Sequence, residues 1–476
     1  MRTKNAMVPS CRLMMDVHAP CGNLEIPRPI VDTMKTQIVD LGEAKDETVQ
    51  QIDRFIFSGI RDWLKSQIGM GVALAIGTWL CLPASIEARN TLGTERSISD
   101  LLQSKTPGAD ASQAERDSLA ILPQVGFNPE QGPKTGIKLV GRNLGGTGLT
   151  LDLNLAAALK GQQSYSIGAL HSKFFEGRLI TSLSAGFFSD PTREFFGLGN
   201  NEVGSDPLST HRVQRIDSEF TIAWRFFERF AVALSAGYRE MQIGRGKARD
   251  DDTVPFTVDA FPTLTGSDGG HTLPLTLSLI YNSRLDVTRP TQGWSLIAEV
   301  EHVNRSWGSD FEFTRLSVDA SYLLPLLTRR QLLAFRLGGV HMLGDLDDIP
   351  FYELTDLGGS DSLRGFFGER FLGKSRLLGT VEYRLKLLDF QFFDLWQVRI
   401  DGVGFVEAGR VFLKDDEIGD QFIVDDQFIT RLSDNFQYSY GGGLRIALGQ
   451  AILARLDVGF SDEESALVYI TFGHTF

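Results

Sequence analysis

The sequence is constrained most by an alternation of apolar and polar residues with a period of two, which recurs from about Ile121 to the last residue. In 149–155 every second residue is a leucine, and threonine, aspartate and asparagine lie between them. The same alternation recurs at 219–226, 316–322 and 381–386. Successive side chains of a β-strand point to opposite faces, so this pattern predicts strands with one apolar and one polar face. We therefore expect an all-β fold for 121–476.

Two all-β architectures fit the alternation. A soluble sandwich buries its apolar faces in a core, whereas a membrane barrel turns them outward to lipid and lines its lumen with polar residues. The alternating segments are about 8–11 residues long, which matches a tilted membrane-spanning strand. The chain also ends on an alternating strand, 468–476, whose last residue is Phe476, as is typical of bacterial outer-membrane barrels. We predict a transmembrane antiparallel β-barrel, and at about 22 residues per strand and connection it has about 16 strands.

The N-terminal part of the sequence resembles an export signal. An apolar run at 68–82 follows basic residues and precedes small ones, which is typical of a secretory signal peptide. We predict a leader plus signal peptide over 1–88 and a polar periplasmic linker over 89–120. Residues 1–60 exceed what a signal needs, so either translation starts later, for example at Met34, or the leader is extended. All three cysteines of the chain lie within 1–88, so the exported part can form neither a disulfide nor a Cys-ligated zinc site.

Charge and motif content exclude several functions. The chain has 47 Lys and Arg against 60 Asp and Glu, a formal net charge of −13, which argues against nucleic-acid binding. Residues 368–375 match the P-loop pattern, but that motif needs a helix after it, and 378–385 alternates as a strand. There is no G-x-S-x-G, the histidines are scattered, and the acidic turns lack EF-hand spacing. We expect no catalysis, no metal and no cofactor.

One short motif is more specific than the alternation. Residues 363–366 read Leu-Arg-Gly-Phe, which resembles the V/L-R-G-F/Y signature of the BamA/TamA-type outer-membrane assembly superfamily, also called bacterial surface antigens. Further matches to that superfamily follow the expected order, at 122–136, 194–200, 281–294 and 405–409. Asn282 and Glu407 stand where the superfamily usually has aspartate. The resemblance covers about 121–476.

The resemblance implies a long extracellular loop that folds back into the lumen with Arg364, Gly365 and Phe366 at its tip. It also implies that Glu382 and Glu407, on neighbouring strands, hold this tip. The chemistry fits, because a desolvated arginine needs acidic partners and its planar fork suits carboxylates. We therefore predict a loop lock made of these five residues.

The resemblance further implies insertion of outer-membrane proteins or translocation of polypeptides through a lateral seam between the first and last strands, not covalent chemistry. We place the first strand at 135–144 and the last at 467–476. Exposed edges at such a seam would let a client strand add by backbone pairing. The seam residues that we predict are Gly136, Leu139, Gly141, Gly473 and Phe476. Glycine weakens a strand, but glycines at close-packed turns are an equally good interpretation.

Superfamily members that assemble or secrete proteins usually carry POTRA modules before the barrel, and 89–120 is too short for one. We therefore expect a member without POTRA modules, located in the bacterial outer membrane. Its expected partners are outer-membrane lipids and lipopolysaccharide, together with unfolded outer-membrane protein clients or a periplasmic partner. Two alternatives stay open on the same scaffold: a passive channel or small-molecule transporter, and a structural surface-antigen barrel.

Overall fold

The computed structural model describes residues 118–200, 204, 206–247, 254–284, 291–328, 330–392, 396–413, 436–448 and 452–472. The predicted leader, the signal peptide and most of the linker lie outside the described residues. So do two of the predicted seam residues, Gly473 and Phe476.

Antiparallel strands close into a barrel with sixteen strand positions in the described part of the chain. The strands of the barrel are β1 (Ser118–Asn128), β2 (Gly132–Leu144), β3 (Leu149–Ala158), β4 (Gln163–Phe174), β5 (Leu179–Phe195), β6 (Ser209–Phe227), β7 (Phe230–Gly244), β8 (Gly270–Thr272), β9 (Leu275–Asn282), β10 (Gly293–Val303), β11 (Phe313–Pro325), β12 (Gln331–Leu343), β15 (Ser375–Phe392), β16 (Trp396–Phe412), β17 (Gln437–Leu448), β18 (Ile452–Phe460) and β19 (Leu467–Phe472). The short strands β13 (Thr355–Leu357) and β14 (Phe371–Gly373) form a separate ribbon. The prediction of an all-β barrel with about 16 strands is confirmed.

Strands β8 and β9 share one position, because both pair with β7. The break between them falls at Pro274, which has no N–H to donate to the ladder. Several strands are longer than the predicted 8–11 residues, and β6 has 19. The extra residues continue the ladders beyond what a crossing of the bilayer requires, about 9–11 residues.

The strands turn their apolar faces outward and their polar faces to the lumen, as in a membrane barrel. In β9, Leu275, Leu277 and Leu279 are exposed on the outside, whereas Thr276 and Ser278 are buried inside. An apolar outer face is stable only against lipid. Among the described residues, no helix has the length and the apolar character to cross a membrane.

The first strand of the barrel is β1, and the sequence prediction of its position is wrong. We predicted the first strand at 135–144, but that segment belongs to β2. Gly136, Leu139 and Gly141 pair with Gln124, Ile121 and Leu119 of β1 on one side and with β3 on the other, so they do not lie at the closure. Pro123 interrupts the alternation of 118–128 and made it resemble an approach to the barrel instead of a strand.

The barrel closes where β1 meets β19, a contact that we call the seam. Among the described residues, β1 is in register with β19 at one pair, Phe127 and Ile470. In contrast, all eleven residues of β1 are in register with β2.

One end of the barrel is filled by long connections. Residues 344–374, between β12 and β15, fold into the lumen, and we call them the lumen loop. They contain two short 3-10 turns, Leu346–Asp348 and Phe351–Glu353, and the ribbon of β13 and β14. A buried apolar cluster joins the first half of this loop to the 254–269 connection, which contains the four-residue helix α1 (Thr257–Ala260). The predicted lumen-inserted loop is confirmed.

Because the apolar face of the wall points outward to lipid, a charged residue introduced on that face should destabilise the barrel. We expect Leu277→Arg, near the middle of the broken β8–β9 strand and 47% exposed to the outside, to lower the free energy of unfolding by about 2–4 kcal/mol, because it puts a charge in hydrocarbon. Urea titration of the barrel in lipid vesicles measures this. The matched control is Leu327→Arg in the turn between β11 and β12, where the side chain is fully exposed and little change is expected. Equal effects of the two variants would contradict the outward-facing assignment.

Candidate functional site

The tip of the lumen loop carries a fully buried arginine, Arg364. Its Nη1 lies 2.8 Å from Oε1 of Glu382 on β15. Its Nη2 and Nε both lie 2.8 Å from Oε1 of Glu407 on β16. The backbone N–H of Arg364 also donates to Oε2 of Glu407, at 2.7 Å. The structure thus brings together the three charged residues of the predicted loop lock.

A wider ring of charges surrounds the lock, and sequence reasoning missed it. Its members lie on β15, β17, β18 and the loop itself, and they are Arg384, Arg445, Arg455, Asp457 and Asp361. Asp457 Oδ1 is 3.5 Å from Arg364 Nη1 and 2.6 Å from Arg445 Nη1. With Arg364, Glu382 and Glu407 the ring balances four arginines with four carboxylates, all buried except Asp361, whose side chain is 56% exposed. Burial makes such a balance of charge necessary.

The sequence did contain a signal for this ring. Glu382 and Arg384 are two residues apart on β15, and Arg455 and Asp457 are two apart on β18. Residues two apart on a strand share a face, and both pairs form ion pairs in the lumen. Opposite charges at this spacing on an otherwise apolar strand therefore mark an inward-facing ionic network.

An aromatic ring completes the environment of Arg364. The centre of the guanidinium lies 3.5 Å from the centroid of the Phe405 ring, a cation–π contact that a desolvated arginine favours. Phe405 is two residues before Glu407 on β16, so the stacking ring and the carboxylate point to the same face. The 405–409 motif thus supplies two of the contacts that hold the arginine.

Gly365 and Phe366 lie beside the arginine in a tight backbone contact. A Cβ on Gly365 would be 2.4 Å from the carbonyl oxygen of Phe460, so only glycine fits there. Phe366 is fully buried and packs edge-on against Phe371, with ring centroids 5.2 Å apart. These contacts fix the position of the tip independently of its charges.

The lumen loop also contacts the elements on both sides of the seam. On β19, the Tyr469 hydroxyl donates to the carbonyl of Phe366 at 3.1 Å. On the β1–β2 turn, the carboxylate of Glu130 accepts from the N–H of Gly368. Arg370 pairs in two 2.7 Å hydrogen bonds with Glu463, in the β18–β19 connection. The loop therefore bridges the closure of the barrel.

The structure also shows where two other sequence motifs lie. The 194–200 motif joins the lumen loop to the wall, because Gly199 N–H donates to Leu372 and Asn200 bonds Val411 of β16. The P-loop match at 368–375 is followed by strand β15 and by no helix. It therefore lacks the geometry that cradles phosphates.

A closed barrel with an apolar outer face, whose lumen holds an inserted loop on buried ion pairs, defines a class of outer-membrane barrels. The Omp85 superfamily domain matches residues 143–476. The chain therefore belongs to the Omp85 superfamily. The family and the fold imply a bacterial outer-membrane protein.

The chain is similar to several solved structures. BamA from Haemophilus ducreyi lacking POTRA domains 1–3 has a TM-score of 0.54 at 15% identity, over 75% of this chain and 70% of that one. CdiB from Acinetobacter baumannii gives 0.49 at 14% identity, over 75% and 59%. CdiB from Escherichia coli gives 0.49 at 12% identity, over 78% and 73%. No curated protein sequence matches the chain.

The lock geometry predicts a large stability effect at Arg364. We expect Arg364→Gln to lower the free energy of unfolding by about 3–5 kcal/mol, because Glu382 and Glu407 then stay buried without their shared cation. Urea titration in vesicles measures this. The control is Arg245→Gln, which breaks the exposed 2.8 Å ion pair to Asp259 and should change little. A loss at Arg364 no larger than in the control would mean that the buried pairs do not hold the loop.

Gly365 tests the close backbone approach separately from charge. We expect Gly365→Ala to cost about 1–3 kcal/mol, because the new methyl group meets the Phe460 carbonyl and displaces the tip. Gly339→Ala on β12 is the matched control, since nothing lies within 4 Å of its Cβ position. The same unfolding titration compares the two. A neutral Gly365→Ala would show that the tip has room to shift.

Proposed function

We propose that this barrel inserts outer-membrane proteins or translocates polypeptides by opening the seam between β1 and β19 to a client strand. The observation that carries the proposal is the contrast in pairing of β1. Within the described residues, it is in register with β2 along its whole length and with β19 at one pair. Among the described residues the seam is the wall interface with the fewest register pairs, and an interface with fewer backbone hydrogen bonds opens at a lower cost.

Membership of the superfamily supports the proposal, and elementary strand physics gives a route. When the seam opens, β1 and β19 present backbone N–H and C=O groups as unpaired edges. An unfolded client strand satisfies these groups by adding to an edge, as in β-augmentation. No covalent step is involved, so the work is done by exchange of hydrogen bonds.

The lumen loop is the element that we expect to regulate this opening. Its tip is fixed to β15 and β16 by Arg364, and it also bonds Tyr469 and Glu130 on the two sides of the seam. Opening the seam therefore requires at least one of the last two contacts to break.

The passive-channel alternative is less well supported. The lumen is occupied by the loop, and a buried apolar cluster that includes Phe261, Phe311 and Phe351 joins the loop to neighbouring connections. A structural surface-antigen role is compatible with the same geometry and is the outcome if no assembly activity is found. The partners that we propose are outer-membrane lipids and lipopolysaccharide around the barrel, and unfolded outer-membrane protein clients or a periplasmic protein that delivers them.

A disulfide across the seam tests the mechanism. Phe127→Cys with Ile470→Cys joins the register pair of β1 and β19. We expect the oxidised variant to lose acceleration of outer-membrane protein insertion into liposomes and to regain it on reduction. The control, Val125→Cys with Thr135→Cys, joins β1 to β2 and should keep full activity when oxidised.

Each other outcome is informative. An oxidised seam variant as active as the wild type would overturn the opening of the seam. A wild type that forms sealed barrels without accelerating insertion would overturn autonomous insertion and favour the structural role.

A further inference from the structure

The lumen loop has a second buried charge besides Arg364. Glu353 lies on the 3-10 turn Phe351–Glu353 and is 3% exposed. Its Oε1 is 2.7 Å from Nη1 of Arg239 on β7, and its Oε2 is 2.6 Å from Nη2 of Arg315 on β11. The same Nη2 also donates to the backbone carbonyl of Glu353, at 2.8 Å. One side chain of the loop is therefore held by two strands of the wall.

This contact lies on a different arc of the barrel from the lock. Arg239 and Arg315 are connected through Glu301 on β10, which pairs with both. The contact thus involves β7, β10 and β11, whereas the lock and its ring involve β15 to β18. In the order of the strands, β12 separates the two arcs.

The charges explain why the loop supplies an acid here. Among the ion-paired side chains of this arc, the wall contributes two arginines and one glutamate, so Glu353 supplies the second negative charge. The four side chains are all largely buried, with side-chain exposures of 4–14%. A buried arginine without an acidic partner raises the free energy of the folded barrel. These wall arginines therefore favour the conformation in which the loop lies in the lumen and Glu353 contacts them.

We infer that Glu353 is a second anchor of the lumen loop, a positioning residue that keeps the first half of the loop across the lumen independently of the Arg364 lock. Residues on both sides of Glu353, including Ile349 and Leu354, belong to the apolar cluster at the loop end. The contacts of Glu353 therefore also hold this apolar cluster in its position in the lumen. Loss of the anchor opens the lumen to small solutes while the tip stays locked. This inference concerns lumen closure and does not depend on the opening of the seam.

Solute flux and site-specific protection test the anchor in the full chain reconstituted in liposomes. We expect Glu353→Gln to raise the flux of a small charged solute at least about tenfold over wild type. Glu369→Gln is the matched control, because Glu369 lies on the same loop in a longer, 3.5 Å pair with Arg193 and its own side chain is 28% exposed. The flux of this variant should stay at the wild-type level. Arg315→Gln removes one of the two wall arginines that hold Glu353 and leaves its ion pair with Arg239, so it should raise flux by a smaller amount. The double variant Glu353→Gln/Arg315→Gln should raise flux no further than Glu353→Gln alone, because Glu353→Gln already removes the ion pair between residues 353 and 315.

Cysteine protection distinguishes an anchor from a general loss of structure. Ile349→Cys reports on the first half of the loop and Leu363→Cys on the tip, and both positions are at most 1% exposed. In the Glu353→Gln background we expect a membrane-impermeant maleimide to label residue 349 and not residue 363, as read by mass spectrometry of the labelled peptides. Unchanged flux and protection at both positions would overturn the anchor. Labelling at both positions would overturn its independence from the Arg364 lock. If Glu353→Gln yields no folded barrel, the Arg315→Gln background, which removes one of the two ion pairs of Glu353, is used instead and should show labelling of residue 349 and not of residue 363.

Discussion

Arg364 has no solvent-exposed surface, so its charge must be balanced by neighbouring groups, and the arrangement of charges in the lumen follows from this requirement. Two carboxylates on adjacent strands, Glu382 and Glu407, bind the guanidinium, and Phe405 stacks on its face. The carboxylates in turn need arginines around them, which β15, β17 and β18 supply. The path of the loop tip and the inward charged residues of β15 to β18 follow from this one buried charge.

The loop is bound around much of the barrel, and the contacts differ in kind. The tip combines ion pairs with a close backbone fit, Glu353 relies on charge, and the contacts beside the seam are mostly single hydrogen bonds. Because the contacts differ, each part of the loop fits one place on the wall. Buried ionic groups of this kind contribute little net stability and instead favour one arrangement over others. The loop is therefore better described as a set of position-specific attachments than as a filler of the lumen.

The fold was largely predictable from the sequence. Alternation with a period of two and the length of the chain predicted the barrel and its strand number, and the superfamily motifs placed the loop and the two acids near Arg364. The first strand was not predictable in this way, because Pro123 disrupts the pattern of 118–128. Glu353 was also missed. It lies on an irregular turn with no periodicity, and its partners, Arg239 and Arg315, are brought to it by tertiary structure alone.

The seam joins residues that are far apart in the chain. Phe127 and Ile470 are separated by roughly 340 residues, whereas the other wall pairings connect strands that are neighbours in sequence. Contacts between distant residues form late in folding because the intervening chain must first be ordered. We expect the hairpins to assemble first and the ends of the chain to meet last. The lumen loop, from the second half of the sequence, contacts both sides of the seam through Glu130 and Tyr469. We therefore expect residues 344–374 to help align the two edges when the barrel closes.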